Sequence, residues 1–347
     1  MSDFLKQMKK DLGDSLHVGT LEVDRWSTGF YSMNMALGGG LPAGRTTLMV
    51  GKESSGKSSC AAKTAANVNS TNWETGEICE PASEESCKVL YVDQEGTLDK
   101  EYCAKHGYFP DQGGNVVVST DTGNQCIDLV NAALQSGEFS LIVLDSIEAL
   151  VPYRDLEKSS ESMAVGTRAK MINDACRRWT VAQISATRES DKWWQRPTLL
   201  LINQLREAIG SVPMPAVTPG GGGQKQMASI IVQMNTPKYE DDGKLASYVN
   251  FRGVVKKNKL STPRGGFECR MAVKNLPEQG MFVGSVDNAT AIIKDVRKHN
   301  IWEKKEDGKW HLFDYVVDKQ SDFLPLMQAD PAVELDIMKK VIKAMAE

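Results

Sequence analysis

No stretch of this 347-residue sequence reaches the roughly eighteen consecutive apolar residues that a membrane span needs, so we expect no span. The amino-terminal segment is polar and charged and lacks the apolar core of a signal peptide, which predicts a cytoplasmic protein. An excess of basic residues is also missing, since the formal net charge is −4. A nucleic-acid partner would therefore have to bind along a local basic path, because affinity follows the local field rather than the total charge.

The seven cysteines form no CxxC pair and are odd in number, so they do not indicate a disulfide framework. We interpret them as reduced, mostly buried thiols in a reducing compartment. Cys79 and Cys87 share one polar stretch, but no neighbouring Cys or His completes the four ligands that structural zinc needs. The sequence therefore predicts no structural zinc.

The middle of the chain alternates short apolar runs with helical patterns. The runs are continuous rather than alternating with polar residues, which is typical of strands whose two faces are both covered by helices. This order of elements predicts an α/β fold with a parallel sheet. The predicted strands are 46–50, 89–92, 141–144 and 199–202, and the predicted helices are 58–68, 124–135 and 167–184.

The flanking segments have other patterns. The first eighteen residues predict a short amphipathic helix, which either packs on another copy of the chain or frays in water. Residues 69–88 are polar and predict a surface insertion. The glycine run that ends the stretch 213–223 is not expected to hold a helix or a strand.

The strongest motif is GKESSGKS at positions 51–58, which fits GxxxxGK[ST] between a strand and a helix. Its backbone N–H groups and the positive end of the helix are suited to phosphates. Lys57 is placed to meet the β- and γ-phosphates of ATP, and the Ser58 hydroxyl to bind Mg²⁺. A chance glycine loop is the alternative, and both spacing and context disfavour it. The predicted ATP contacts here are Gly51, Glu53, Ser54, Ser55, Gly56, Lys57, Ser58 and Ser59.

Two further apolar strands end in acids. The run LIVLD ends at Asp145, which would hold Mg²⁺ together with Ser58, and Ser146 follows it on the γ-phosphate side. The run at 89–92 is followed by Asp93 and Glu95, at the sheet edge where α/β proteins bind ligands. Glu95 could orient and deprotonate an attacking water, or one of these acids could cap the next helix. Spacing alone leaves both alternatives open.

Several blocks in a fixed order carry a family resemblance. They are STG at 27–29, ALGGGLPAGR at 36–45, the motif at 51–58, DTGNQ at 121–125, INQLR at 202–206 and KNK at 257–259. Over roughly residues 26–267 their order and separation resemble the RecA recombinase family, and the departures favour a divergent, phage-encoded member. The resemblance implies a RecA-like P-loop ATPase core over 26–280, with a mostly parallel twisted sheet flanked by helices. It also implies an N-terminal oligomerisation helix and linker at 1–25, and a small α+β C-terminal domain at 281–347.

The resemblance implies an ATP site that two subunits complete. Glu95 is similar to the family's catalytic glutamate, and Asp99 and Tyr102 lie where the family contacts adenine, with Tyr102 stacking on the ring. Lys257 and Lys259 resemble lysines that reach the neighbouring subunit's ATP and stabilise transition-state charge there. Without the resemblance, the KNK stretch would be interpreted as a solvated charged strand end.

The resemblance also implies two DNA-binding loops, roughly 153–166 and 205–225. Gln204 is similar to the switch glutamine that senses the γ-phosphate and reports to the second loop. Basic side chains would contact phosphates, glycines would let the backbone approach, and apolar wedges would separate bases. A solvated charged face is the alternative. The predicted DNA contacts are Val165, Arg168, Lys170, Arg206, Ile209, Gly220, Gly221, Gly222 and Lys225.

The leading interpretation is a DNA-dependent ATPase that uses ATP and Mg²⁺, forms filaments on single-stranded DNA and exchanges strands with homologous double-stranded DNA. A ring-forming RecA-fold motor and an ATP-binding regulator without turnover are the alternatives. Three departures bear on the DNA and subunit contacts. Glu207 and Ala208 stand where basic or larger residues are common, and Gln226 replaces an aromatic that commonly packs at the subunit interface.

Overall fold

The computed structural model describes residues 2–12, 23–156, 166–206, 219–241, 246–262 and 265–345. Within them the chain forms a large sheet, a two-stranded ribbon and a small three-stranded sheet. The helices are α1 Asp3–Leu12, α2 Tyr31–Leu37, α3 Lys57–Asn69, α4 Lys100–Lys105, α5 Gly123–Ser136, α6 Tyr153–Leu156, α7 Thr167–Glu189, α8 Gly223–Met227, α9 Asn288–Lys298, α10 Phe323–Ala329 and α11 Pro331–Ala344. The strands are β1 Arg25–Trp26, β2 Leu41–Pro42, β3 Thr46–Gly51, β4 Val89–Asp93, β5 Val116–Val118, β6 Leu141–Asp145, β7 Thr198–Gln204, β8 Ile230–Asp241, β9 Ala246–Asn258, β10 Gly266–Ala272, β11 Glu303–Lys304, β12 Trp310–Leu312 and β13 Tyr315–Val317.

The large sheet has the order β10-β9-β8-β3-β7-β6-β4-β5 in the part of the chain that the structure describes. The strands β8, β3, β7, β6, β4 and β5 run parallel to one another, whereas β9 pairs antiparallel with β8, and β10 pairs antiparallel with β9. The sheet is therefore mostly parallel, as the sequence predicts. The small sheet of β11, β12 and β13 packs with α9, α10 and α11 around a separate apolar cluster that includes Tyr31 and Met35 of α2.

Successive residues of the central strands belong to different apolar clusters. Met49 packs in the cluster that contains Cys60 and Ala61 of α3, whereas Leu48 and Val50 pack in the cluster of α5 and α7. Successive side chains of a strand point to opposite faces, so helices cover both faces of the sheet. Full burial on both sides explains why these strands are continuous apolar runs. None of the helices formed by the described residues is both long and apolar enough to cross a membrane.

The register of the parallel strands brings their carboxyl ends to one edge of the sheet. Gly51 pairs with Gln204, and Asp93 pairs with Asp145. Ligands of open α/β sheets bind in the crevice at this edge. The P-loop and the acids that the sequence singles out therefore meet at one place.

The predicted core elements are confirmed, with small shifts of their ends. The largest shift is in α7, which extends five residues beyond the predicted end at 184 and reaches Glu189. One expectation was wrong: Gly223, the last residue of the glycine run, is the first residue of α8, where its amide donates to Asn173 Oδ1 at 2.7 Å. The insertion 69–88 is polar as expected, but Cys87 is fully buried and Trp73 packs against the core, so its two ends are anchored.

Candidate functional site

The P-loop connects β3 to α3. At positions 51 and 56 of this loop, the neighbouring atoms leave room only for glycine. Gly56 is the N-cap of α3 with φ +84°, and an added Cβ would lie 2.3 Å from the ring of Phe251. A Cβ on Gly51 would lie 2.4 Å from Ser55 Oγ and 2.9 Å from the carbonyl oxygen of Met234. Close packing therefore requires both glycines of the motif, and the positive φ adds a conformational requirement at Gly56.

Lys57 lies inside the curl of this loop and is almost completely buried. Its Nζ donates to the carbonyl oxygens of Lys52 at 2.8 Å and Gly51 at 3.3 Å. Burial lowers the pKa of Lys57, while the nearby carboxylates of Asp145 and Glu95 act in the opposite direction. The ammonium group is held at the loop's centre, where phosphate oxygens would be stronger acceptors than the two carbonyls.

Asp145 ends β6 next to the P-loop, and its side chain is almost completely buried. The Tyr91 hydroxyl donates to Asp145 Oδ2 at 3.0 Å, and the Ser58 hydroxyl is also hydrogen-bonded to this carboxylate. Burial raises the pKa of Asp145 to about 6, and these two hydrogen bonds oppose the rise. A buried carboxylate beside a P-loop hydroxyl fits a Mg²⁺ ion that carries nucleotide phosphates.

Glu95 stands at the mouth of the site with its side chain exposed. The Ser146 hydroxyl and the Gln204 side-chain amide both donate to Glu95 Oε1, the latter at 3.3 Å. Asp93 has a structural task, because its carboxylate accepts from the backbone N–H groups of Glu95, Gly96 and Leu98 at 2.9–3.1 Å. Spacing alone did not show which acid has a structural role. In the structure, Asp93 stabilises the loop and Glu95 faces the site.

Asp99 and Tyr102 lie at the start of α4. Asp99 is its N-cap and accepts from the Tyr102 N–H at 2.7 Å, and the Tyr102 hydroxyl lies 2.7 Å from Ser59 Oγ. The ring of His106 lies 4.5 Å from that of Tyr102, and His106 Nδ1 lies 2.8 Å from the Tyr102 carbonyl oxygen. Sequence reasoning missed His106, although its spacing of four from Tyr102 on a helix was the available signal.

Gln204 and Asn203 connect the site to the glycine segment 219–223. Gln204 ends β7 beside Gly51, and the side chain of its neighbour Asn203 points to the segment. Asn203 Nδ2 donates to the Pro219 carbonyl oxygen at 2.9 Å and to Gln224 Oε1 at 2.8 Å. A change at the carboxyl end of β7 therefore reaches the second predicted DNA loop through direct hydrogen bonds.

Seven of the nine predicted DNA contacts lie in the part of the chain that the structure describes. Lys170 and Lys225 are exposed, and Gly220 and Gly221 have φ values of +90° and +79°. Gly222 is exposed, Arg168 is half-buried and Arg206 is exposed. Val165 and Ile209 lie outside the described residues. Arg206 forms an ion pair with Glu148, a residue that sequence reasoning did not select.

Lys257 and Lys259 lie at the opposite edge of the sheet from the P-loop. Asn258 pairs with Ile230 at the start of β8, whereas Gly51 pairs with Met234, four residues further on. At about 3.3 Å per residue this separates the two edges by roughly 13 Å along the strand. Lys257 Nζ donates to the Lys225 carbonyl oxygen at 2.6 Å, and burial lowers its pKa. Lys259 Nζ donates to the Gln226 carbonyl oxygen at 3.2 Å, so the ammonium groups of both lysines contact α8.

Comparison with known proteins agrees with this geometry. The family model described as the RecA N-terminal domain matches residues 1–273. Protein RecA of Frankia casuarinae is 31% identical over 289 residues, which cover 83% of this chain and 73% of that protein. Protein RecA of Streptomyces venezuelae is 35% identical over 240 residues, 68% of this chain and 57% of that protein. Protein RecA of Mycolicibacterium smegmatis is 34% identical over 238 residues, 68% of this chain and 61% of that protein. The chain therefore belongs to the RecA family.

Proposed function

We propose that this chain is a DNA-dependent ATPase that forms filaments on single-stranded DNA and catalyses pairing and strand exchange with homologous double-stranded DNA. The observation that carries the proposal is the continuous contact from Glu95 through Gln204 and Asn203 to the glycine segment. This contact joins a site suited to ATP hydrolysis to a loop suited to DNA. A recombination and repair role in the cytoplasm follows from this reading.

The residues of the site divide the work of hydrolysis. Lys57 and the P-loop amides hold the β- and γ-phosphates, and Ser58 and Asp145 hold Mg²⁺, which neutralises phosphate charge when bound. Glu95 orients an attacking water and takes its proton. Asp99 and Tyr102 hold adenine, and Gln204 senses the γ-phosphate side because its amide already contacts Glu95.

Lys257 and Lys259 act on the ATP of a neighbouring subunit in this proposal. Their position at the far edge of the sheet keeps them from the P-loop of their own chain, so a second subunit has to bring them to it. Cations supplied in trans stabilise charge on the transferring phosphoryl group. Hydrolysis then depends on assembly, and ATP at the interface stabilises the filament.

The N-terminal helix supports self-association. Phe4 and Leu12 of α1 are 69% and 52% exposed, and every described side chain of this helix is at least partly exposed. An amphipathic helix whose apolar side chains are left exposed by the described part of its own chain gains apolar burial by docking on a neighbour. We keep 1–25 as an oligomerisation segment, 26–280 as the ATPase core and 281–347 as a C-terminal domain.

Electron microscopy of the protein with ATP, Mg²⁺ and single-stranded DNA tests the assembly. The proposal predicts helical filaments whose length follows the DNA, together with exchange of a labelled strand into homologous duplex. Closed rings without strand exchange would favour a RecA-fold motor instead. Nucleotide binding without any turnover would favour a regulator.

A further inference from the structure

Glu148 is an acid placed between two arginines next to the ATP site. It lies in the short 3-10 turn Ile147–Ala149 that follows β6, three residues after Asp145. Only 9% of its side chain is exposed, whereas its ion-pair partner Arg206 is 69% exposed. Among the described residues, neither carboxylate oxygen has a hydrogen-bond partner apart from this ion pair.

Arg168 completes the arrangement from α7. Its Nη2 donates to the Ile147 carbonyl oxygen at 3.4 Å, which places the guanidinium beside the turn that carries Glu148. Burial lowers the pKa of Arg168, Glu148 acts against this, and the charge of Arg206 adds to it. The two arginines therefore repel each other across a space in which the Glu148 carboxylate supplies the compensating charge.

The sequence positions of Arg168 and Arg206 connect this cluster with the two predicted DNA loops. Arg168 lies two positions after the end of the first predicted DNA loop, and Arg206 is the second residue of the second. Guanidinium groups bind carboxylates and phosphates with the same forked geometry, so a carboxylate can occupy a phosphate site. Lys57 also feels the charge of Glu148, which places the cluster near the P-loop.

We propose that Arg168 and Arg206 form a binding site for a backbone phosphate of single-stranded DNA, and that Glu148 occupies it as an intramolecular competitor. DNA has to displace the carboxylate before both arginines can contact phosphate. The chain thereby weakens its own binding to short or weakly held DNA. This inference rests on the proposed function, since it assumes that single-stranded DNA binds these loops.

A purely stabilising ion pair makes a different prediction. Removing Glu148 would then lower stability, because two like charges lose their counter-ion, and DNA affinity would stay unchanged or fall. Competition predicts lower stability without DNA and higher DNA affinity, because the emptied site then accepts phosphate without displacement.

The test compares Glu148→Gln with Glu138→Gln, using a fluorescent oligothymidylate at several salt concentrations. Glu138 is exposed and paired with Lys88 at 3.2 Å, so its substitution changes the net charge equally at a distant surface. We expect Glu148→Gln to bind about fivefold more tightly than the control, the size of effect that one partly exposed ion pair has on an equilibrium. The slope of log affinity against log salt should steepen by about 0.7 for each phosphate gained.

Melting temperatures with and without the oligonucleotide give a second readout. Glu148→Gln should melt below the control alone and recover when DNA is added. Glu148→Asp, which keeps the charge but shortens the side chain, should show a smaller gain and serves if the glutamine variant folds poorly. Affinity and salt slope equal to those of Glu138→Gln would overturn the inference while leaving the proposed function intact. A wild-type protein that binds no single-stranded DNA would overturn both.

Discussion

The side-chain amide of Gln204 donates to Oε1 of Glu95 across 3.3 Å, at the mouth of the site. One residue ends the strand that leads to the glycine segment, and the other is the candidate base for hydrolysis. A shift of β7 on DNA binding would therefore change the position of Glu95. Under the proposed function, communication between ATP and DNA requires no long pathway, because the side chains of Gln204 and Glu95 are in direct contact.

Replacing Gln204 tests this communication. Gln204→Ala should keep ATP binding, because Lys57 and the P-loop are untouched, and should lose DNA-stimulated hydrolysis by roughly tenfold or more. Gln135→Ala, on the exposed face of α5, is the matched control and should behave like wild type. Steady-state phosphate release with and without single-stranded DNA measures both. Full stimulation in Gln204→Ala would remove Gln204 from the coupling.

Nucleotide binding that depends on Mg²⁺ should weaken as pH falls through about 6. The pKa of Asp145 is raised by burial to about 6, so the carboxylate is ionised and binds metal above this pH and is neutral below it. Tyr91→Phe removes a hydrogen bond that lowers this pKa, so the loss should begin at a higher pH. Titrations of a fluorescent nucleotide with Mg²⁺ between pH 5 and pH 8 provide the measurement.

The matched control for that profile is Tyr108→Phe, since the buried Tyr108 hydroxyl contacts the carbonyl oxygen of Val89 rather than a carboxylate. Its profile should follow that of the wild type.

The raised pKa of Asp145 also has a consequence for stability. Because the folded-state pKa of Asp145 lies above 3.8, the stability it contributes is present at low pH and lost as pH rises towards about 6. Asp145→Asn should therefore melt above wild type at pH 7 without nucleotide, while losing Mg²⁺ binding.

Mixed assemblies of two variants test whether Lys257 and Lys259 act on the ATP of a neighbouring subunit. Lys257→Ala and Lys57→Ala should each be inactive alone, because one lacks the cation for its neighbour and the other cannot hold phosphates. Together they should regain part of the activity, since some interfaces pair an intact P-loop with an intact Lys257. The control is Lys256→Ala, which removes the exposed side chain next to Lys257 and should stay active. No recovery at any mixing ratio would contradict action in trans.

Substitutions at Gly56 and Gly137 distinguish the cost of backbone strain from the cost of steric overpacking. Gly56 and Gly137 both have positive φ, but a Cβ on Gly56 would meet Phe251 at 2.3 Å, whereas one on Gly137 would meet nothing within 4 Å. Gly137→Ala should cost about 1 kcal/mol of unfolding free energy from backbone strain alone. Gly56→Ala should cost about 1–3 kcal/mol more from overpacking. Urea denaturation curves of the two variants measure the difference, and equal losses would rule out the crowding.

The sequence predicts the features that depend on local chemistry. The P-loop is recognisable because its glycines, lysine and serine have a fixed spacing, and β3, β4, β6 and β7 are recognisable because burial on both faces makes them apolar throughout. Strands β8, β9 and β10 were not predicted individually. They mix polar residues such as Gln233, Asn235 and Arg252 with apolar ones, because they form an antiparallel margin of the sheet.

Contacts between distant segments could not be predicted in the same way. Glu148 and Arg206 lie 58 positions apart in the sequence, and only the pairing of β6 with β7 brings them together. The position of Lys257 and Lys259 opposite the P-loop also depends on the register of β8 and β9. That register keeps both lysines away from the P-loop end of the sheet.

The most direct test of the central claim measures phosphate release by wild type and Glu95→Gln, each with and without single-stranded DNA. We expect a wild-type rate that rises strongly on DNA and a variant that binds ATP normally but loses the stimulated rate by a factor on the order of 10² or more. Equal rates for the two proteins on DNA, with equal ATP binding, would contradict the claim that this site is a DNA-coupled ATPase.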